Sequence, residues 1–233
     1  MSGLRGAIVP VTPLQQNCTL LWDDASKRAW VIDPGGDVAR ILETVSELGL
    51  AVERILLTHG HIDHAGGADE LRQALAVPLE GPDTRDSFLL DQLETQGERF
   101  GVAGARNVRS DRFLAEGDSL ELAGHHFDIL HCPGHTPGHV VFINRANAIA
   151  VVGDVLFQGS VGRTDFPYGD DPDALLDAIR DKLMPLGDNV AFLCGHGPGS
   201  TIGMERQTNP YVKEALSRPR KQSRPQSSPQ PAS

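Results

Sequence analysis

An α/β fold is predicted by three features of this 233-residue sequence. Short β-rich apolar runs alternate with segments of helical period. A β–α–β–α order recurs in both halves without sequence identity. Polar residues, interleaved with glycine, cluster where several apolar runs end. In chain order, "GAIVPV", "CTLLW" and "AWVIDP" are separated by polar turns, which predicts a meander. Val38, Ile41, Leu42, Val45 and Leu48 then recur at helical spacing, and Gly49 is a natural stop. "RILLT" reads as a buried strand, followed by a helix through "ADELRQAL". From Asp83 to Phe113 the pattern is weak, with Phe88, Leu89, Leu90 and Leu93 as one short apolar helix face.

A second β-rich block follows in "SLEL", "HFDILH", "HVVFIN" and "AIAVVG". A helix fits "PDALLDAIRDKL" with Pro172 in its first turn. "VAFLC" is then a strand running into "GHGP". With no short repeat and no internal linker, residues 1–217 read as one domain. Residues 218–233, "RPRKQSRPQSSPQPAS", contain only Pro, Arg, Lys, Gln, Ser and Ala. Such a segment buries too little apolar surface to offset its ordering entropy, so a disordered, solvated basic tail is expected.

Composition narrows the function classes. A formal charge of −10 disfavours a broad nucleic-acid-binding surface. Three widely separated cysteines make no disulfide framework and point to a reducing compartment. No stretch approaches the roughly 20 apolar residues that span a bilayer, and "MSGLRGAIVPVTP" has no signal-type apolar region. A cytoplasmic protein acting on a small molecule, not on nucleic acid or membrane, is expected.

The chemistry concentrates in "LLTHGHIDHAGG", where His59, His61, Asp63 and His64 fall within six positions. In an extended loop, residues two apart point to one side about 6–7 Å apart, so His59 and His61 can converge on one ion. Asp63 and His64 lie where the chain turns toward a helix and can serve a second ion. "HCPGHTPGH" brings His135 on a Pro-Gly turn. Asp154 in "VVGDV" follows an apolar strand, an awkward place for a carboxylate without a partner. "FLCGHGP" puts His196 at another strand end between glycines that allow close backbone approach. Imidazole and carboxylate ligands suit zinc, manganese or iron.

The order HxHxDH, PGHTxGH, GD, GHG resembles the metallo-β-lactamase-fold hydrolases. "QQNCTLLW", "VIDPGGD", "GSVGRTDFPYGD" and "GHGPGSTIGMERQTNP" are similar to the short, single-domain bacterial form of glyoxalase II (hydroxyacylglutathione hydrolase), over nearly the whole chain to about Tyr211. The resemblance implies an αββα sandwich of two mixed sheets with helices outside. It implies two divalent ions per chain, zinc or else iron or manganese. His59, His61 and His135 would bind one, Asp63, His64 and His196 the other, and Asp154 would bridge them. The implied reaction is hydrolysis of a small acyl-thioester, S-D-lactoylglutathione in that family. Hydroxide held by the ions would attack the carbonyl, with Asp63 orienting it. Arg163 matches a basic position that contacts glutathione, although pairing with Asp165 to order its loop fits equally. The chain also departs from the longer enzymes, which have tyrosine at the position of Asp165 and a C-terminal helical domain with further glutathione contacts.

Other readings remain open. A persulfide dioxygenase relative implies a single iron at His59, His135 and Asp154. A phosphodiesterase or RNA-processing relative is disfavoured by the missing basic arm, and a β-lactam hydrolase by the aspartate at 154. A binding protein with a vestigial site is the alternative outside enzymes. Cys132 and Cys194 read as packed strand residues, and His139 as a group supporting the turn or the ligands. His125, His126 and His131 read as solvated or structural, and Gly35 and Gly36 as a turn near the site.

Overall fold

The computed structural model describes residues 3–168, 171 and 173–220. Its first sheet joins β1 (Leu4–Val11), β2 (Gln16–Asp23), β3 (Arg28–Ile32), β4 (Ala51–Leu56) and β5 (Leu79–Glu80) in that spatial order. The first three are antiparallel, the expected meander, whereas β3, β4 and β5 run parallel. α1 (Val38–Glu47) connects β3 to β4, and α2 (Ile62–Ala65) with α3 (Ala68–Leu75) connects β4 to β5. After α4 (Ser87–Leu90) and α5 (Leu93–Phe100) the chain enters the second sheet.

That sheet contains β6 (Ser119–Leu122), β7 (His125–His131), β8 (Val140–Asn144) and β9 (Ile149–Gly153). A small hairpin, β10 (Leu156–Phe157) and β11 (Ser160–Val161), precedes α6 (Ala174–Ala178). The chain finishes with β12 (Ala191–Cys194), β13 (Ser200–Thr201), α7 (Ile202–Thr208) and α8 (Pro210–Ser217). The spatial order is β13-β12-β9-β8-β7-β6, antiparallel except for the parallel β9–β12 pair.

Successive strand side chains point to opposite faces, and this alternation sorts the apolar residues into three layers. Leu21, Trp30, Ile32 and Leu56 of the first sheet meet Phe127, Ile129, Val140, Phe142 and Val151 of the second. Their neighbours Leu20, Val31 and Ile55 face outward instead, onto Ile41 of α1 and Leu71 of α3. Across the molecule Val141, Ile143, Ala150 and Val152 pack on Leu175, Ile202 and Val212 of α6, α7 and α8. The architecture is helix–sheet–sheet–helix, the mixed-sheet sandwich expected. Strands covered on both faces read as near-continuous apolar runs, which is why "RAWVI" and "IAVVG" show no polar alternation.

Phe127 is fully buried between the sheets, its ring centroid 4.8 Å from that of Trp30. Phe127→Ala removes this inter-sheet contact and leaves a cavity. It is expected to lower the unfolding free energy by about 3–5 kcal/mol in urea denaturation. A loss below 1 kcal/mol would show that the layer is not closely packed there.

Several elements differ from expectation. The apolar quartet near position 90 is divided between α4 and α5, with Leu89, Leu90 and Leu93 buried and Phe88 half-buried. The helix over "PDALLDAIRDKL" is α-helical only at Ala174–Ala178, then widens to π turns at Ile179–Leu183 and tightens to 3₁₀ at Met184–Leu186. Gly187, with φ 109°, ends it there; Pro172 lies outside the described residues. β5, two residues long, is too short to show a period in the sequence.

No helix among the described residues is long and apolar enough to cross a membrane. α8 ends at Ser217. Arg218 pairs with Asp173, and Arg180 Nη1 donates to the Pro219 carbonyl at 3.3 Å. Residues 221–233, most of the expected tail, lie outside the described residues.

Candidate metal centre

Strand direction gathers the sequence's scattered polar residues onto one edge. β3 and β4 are parallel and lead into Asp33 and into His59 and His61. β9 and β12 are parallel and lead into Asp154 and His196. β7, antiparallel to β8 as β9 is, therefore points the same way and leads into the loop carrying His135. The chain stays extended through His61 (φ −70°, ψ 152°) and becomes helical at Ile62, which carries Asp63 and His64 on α2.

Two separate trios of donors result, and a third grouping, Asp33 with His59 and His64, shares a residue with each. His59, His61 and His135 offer ring nitrogens that all lie within 4.8 Å of one another, as do the donors of Asp63, His64 and His196. In the first trio His61 Nδ1 lies 3.0 Å from both His59 Nε2 and His135 Nε2. The surrounding hydrogen bonds assign the protons elsewhere. His59 Nδ1 donates to Thr58 Oγ1 at 3.0 Å, because that hydroxyl already donates to Asp33 Oδ2 at 2.7 Å. His135 Nδ1 donates to the Arg163 carbonyl at 2.9 Å, and His61 Nε2 hydrogen-bonds the Tyr168 hydroxyl. In the tautomer with the His61 proton on Nε2, three lone pairs face one another. A cation relieves that repulsion, and Zn–N bonds of ~2.0–2.1 Å give tetrahedral N···N edges of about 3.3 Å.

In the second trio Asp63 Oδ2 lies 3.1 Å from His196 Nε2 and 3.9 Å from His64 Nε2. His64 Nδ1 donates to Asp33 Oδ2 at 2.9 Å, so its Nε2 edge faces inward. Asp154 stands between the trios, with Oδ1 3.4 Å from His64 Nε2. Its Oδ2 lies 3.4 Å from His135 Nε2 and 3.6 Å from His196 Nε2. Both His64 Nε2 and Asp154 Oδ1 are buried without a hydrogen-bond partner. Orphaned buried polar atoms on facing donors, in a nitrogen and oxygen ligand set, fit divalent cations.

The electrostatics differ between the two trios. Burial, reinforced by neighbouring imidazoles, holds His59 well below the usual histidine range and His61 down to about 3. Burial also lowers His135, against the pull of Asp154. These rings are neutral near pH 7 and keep their lone pairs. Burial lowers His64 too, but Asp154, Asp63 and Asp33 outweigh it and raise it well above that range. Asp154 is buried too, but His64, His135 and His196 hold it ionised.

Asp33 is a supporting residue that sequence reasoning did not single out. It accepts from Thr58 N and Thr58 Oγ1, both at 2.7 Å, as well as from His64. Its backbone is left-handed at φ 56°, uncommon for a residue with a side chain and typical of a constrained site. A signal existed: in "VIDPGG" a carboxylate ends an apolar strand, as Asp154 does. Phe166 and Tyr168 were also missed. They stack with centroids 5.3 Å apart, and Phe166 lies 4.9 Å from the His61 ring and 5.4 Å from that of His135.

Arg163 is exposed, pairs with Asp165 through Nε at 2.9 Å and Nη2 at 3.1 Å, and lies over the Phe166 ring. His139 supports the site: its Nε2 accepts from Asp154 N at 3.0 Å, and its ring stacks on His59 at 4.6 Å. Cys132 and Cys194 are buried, and burial pushes their thiols up to about 12 and about 11, so they remain protonated packing residues. His125 and His126 open β7 after the turn at Ala123–Gly124, with His125 on Asp23 and His126 on Asp128. His131 donates to the Pro137 carbonyl. Gly35 sits where an added Cβ would be 1.4 Å from the Asp63 carbonyl oxygen, so this turn presses against α2.

Comparison with known proteins places these features. A model of the Metallo-beta-lactamase superfamily matches residues 11–196. Hydroxyacylglutathione hydrolase GloC of Haemophilus influenzae is 48% identical over 206 residues, covering 88% of this chain and 96% of that protein. The crystal structure of BLEG-1 B3 metallo-beta-lactamase is 33% identical with a TM-score of 0.82, covering 89% of this chain and 99% of that one. That of TTHA1623 in a di-iron-bound form is 37% identical with a TM-score of 0.78, covering 88% and 99%. The fold, the strand-end donors and these matches agree: the chain belongs to the metallo-beta-lactamase superfamily.

Proposed function

We propose that this protein hydrolyses a small acyl-thioester, S-D-lactoylglutathione first among them, using two divalent cations. The observation that carries the reading is Asp154, orphaned at Oδ1 and set between two complete donor trios. His59, His61 and His135 would hold one ion, Asp63, His64 and His196 the other, with Asp154 shared between them. Bound there, the ions supply Lewis-acid polarisation of a carbonyl and lower the pKa of a water toward ~7. Asp63 would orient that water, while the Tyr168 hydroxyl and the Arg163 carbonyl keep His61 and His135 in the ligating tautomers. Phe166 and Tyr168 form an aromatic wall that limits water on the His61 side. A thioester suits the site because thiolate leaves without a strong protein acid. The identity to GloC supports the glutathione-derived substrate class, and the di-iron relative keeps iron beside zinc and manganese.

β-Lactam hydrolysis is a second reading, favoured by the likeness to BLEG-1. One panel decides between them: S-D-lactoylglutathione, simple acyl-thioesters, a cephalosporin and glutathione persulfide with an oxygen electrode, alongside elemental analysis. The expected result is thioester turnover, abolished by chelation, with two ions per chain. Faster cephalosporin turnover would install the β-lactam reading, and one iron with oxygen uptake would install persulfide oxidation.

Arg163 is the proposed contact for the anionic thiol portion, releasing Asp165 when substrate binds. Arg163→Ala is expected to raise KM about tenfold with kcat little changed, the loss of one charge-assisted hydrogen bond. An unchanged KM would leave Arg163 with only its loop-ordering role.

A further inference from the structure

The two loops that carry the first trio are separated by more than seventy residues, yet one carboxylate outside them hydrogen-bonds both. Asp86, fully buried, ends the short 3₁₀ turn Thr84–Asp86 that precedes α4. Its Oδ2 accepts from Gly60 N at 2.9 Å, between His59 and His61. The same oxygen accepts from Thr136 Oγ1 at 2.7 Å, the residue after His135, and Oδ1 accepts from Gly138 N at 2.5 Å. We propose that Asp86 is a positioning residue that sets the spacing of His59, His61 and His135. The proposal rests on the metal assignment above and on none of its substrate claims.

Two glycines show how closely the parts are fitted. A Cβ on Gly60 would come within 2.8 Å of Leu89 Cβ and 3.1 Å of the Asp86 carbonyl oxygen. On Gly138 it would come within 2.6 Å of Asp86 N and 2.7 Å of the Asp83 carbonyl oxygen. The backbone adds to the clamp, since Asp83 N donates to the Gly138 carbonyl at 3.0 Å. Burial pushes the Asp86 carboxyl up to about 6 while the three donors pull it back, so near neutral pH it is an acceptor-only carboxylate. Asparagine cannot replace it fully, because its amide offers one acceptor oxygen to three donors. None of the hydrogen bonds and ion pairs described for Asp86 reaches Asp63, His64 or His196; His64 is held by Asp33 instead. A positioning role for Asp86 therefore predicts selective damage to one of the two metal sites.

The test measures stepwise zinc dissociation constants by competition with a chromophoric chelator. It uses the full chain as wild type, Asp86→Ala, Asp86→Asn and Thr136→Val, with circular dichroism and melting temperature in parallel. Expected is a 10–100-fold weakening of one constant in Asp86→Ala, smaller losses in the other two, and the second constant within about twofold of wild type. In a His61→Ala background, Asp86→Ala is expected to change the remaining constant no further. Two unchanged constants in every folded variant would overturn the proposal. So would equal weakening of both constants together with a lower melting temperature, the mark of a merely structural residue. If Asp86→Ala does not fold, Asp86→Asn and Thr136→Val carry the same comparison. Wild type binding no zinc overturns the proposal together with the metal assignment. The expected constants support it whether or not a thioester is turned over, so a failed substrate reading is recognised separately.

Discussion

Asp154→Ala is expected to lower kcat by at least about 10³-fold and to remove one or both ions from the isolated protein. Its carboxylate lies 3.4 Å from His64 Nε2 and from His135 Nε2, so one side chain serves both donor trios. Without it the His64 and His135 ring nitrogens lose their shared anionic neighbour, and cations bound on either side would lose a common ligand. Lewis-acid stabilisation of a developing charge is worth several kcal/mol, and about 4 kcal/mol corresponds to ~10³ in rate. Elemental analysis and single-substrate kinetics on the same sample check it. Two retained ions with near-normal turnover would refute the ligand assignment and revive the reading of a vestigial site.

Gly195→Ala is expected to cost on the order of 10²-fold in kcat while leaving the circular dichroism spectrum unchanged. An added Cβ would stand 2.0 Å from Asp154 Oδ1 and 2.5 Å from His64 Cε1. Neither neighbour can yield freely. His64 is tied to Asp33 at 2.9 Å, and the Asp154 backbone donates to His139 at 3.0 Å. A displacement of about 1 Å at a reacting centre is enough for a hundredfold loss. Turnover within twofold of wild type would mean that the gap beside Asp154 is wider than this packing allows.

Both predictions join residues far apart in the chain, and they mark how far the sequence could be read. "RAWVI", "RILLT" and "IAVVG" were legible as strands because burial of both faces writes itself as continuous apolarity. His59, His61, Asp63, His64, His135, Asp154 and His196 were legible as candidates because polar ligands with glycine stood where apolar runs stopped. Asp33 and Asp86 were not picked out, although each ends a short element. A carboxylate's role depends on which donors surround it, and theirs come from positions 58 and 64, and from 60, 136 and 138.

The aromatic wall was hidden for the same reason. "TDFPY" is an ordinary loop until Phe166 and Tyr168 are laid against His61. By itself, then, the sequence determined the α/β class and the chemistry at each strand end, since period and residue type are local properties. Only the tertiary structure decided which donors share a space, which carboxylates hold them there, and why Gly195 has no side chain. Those are distances between separate loops, set by the parallel courses of β3 with β4 and of β9 with β12 and by the packing of one sheet on the other.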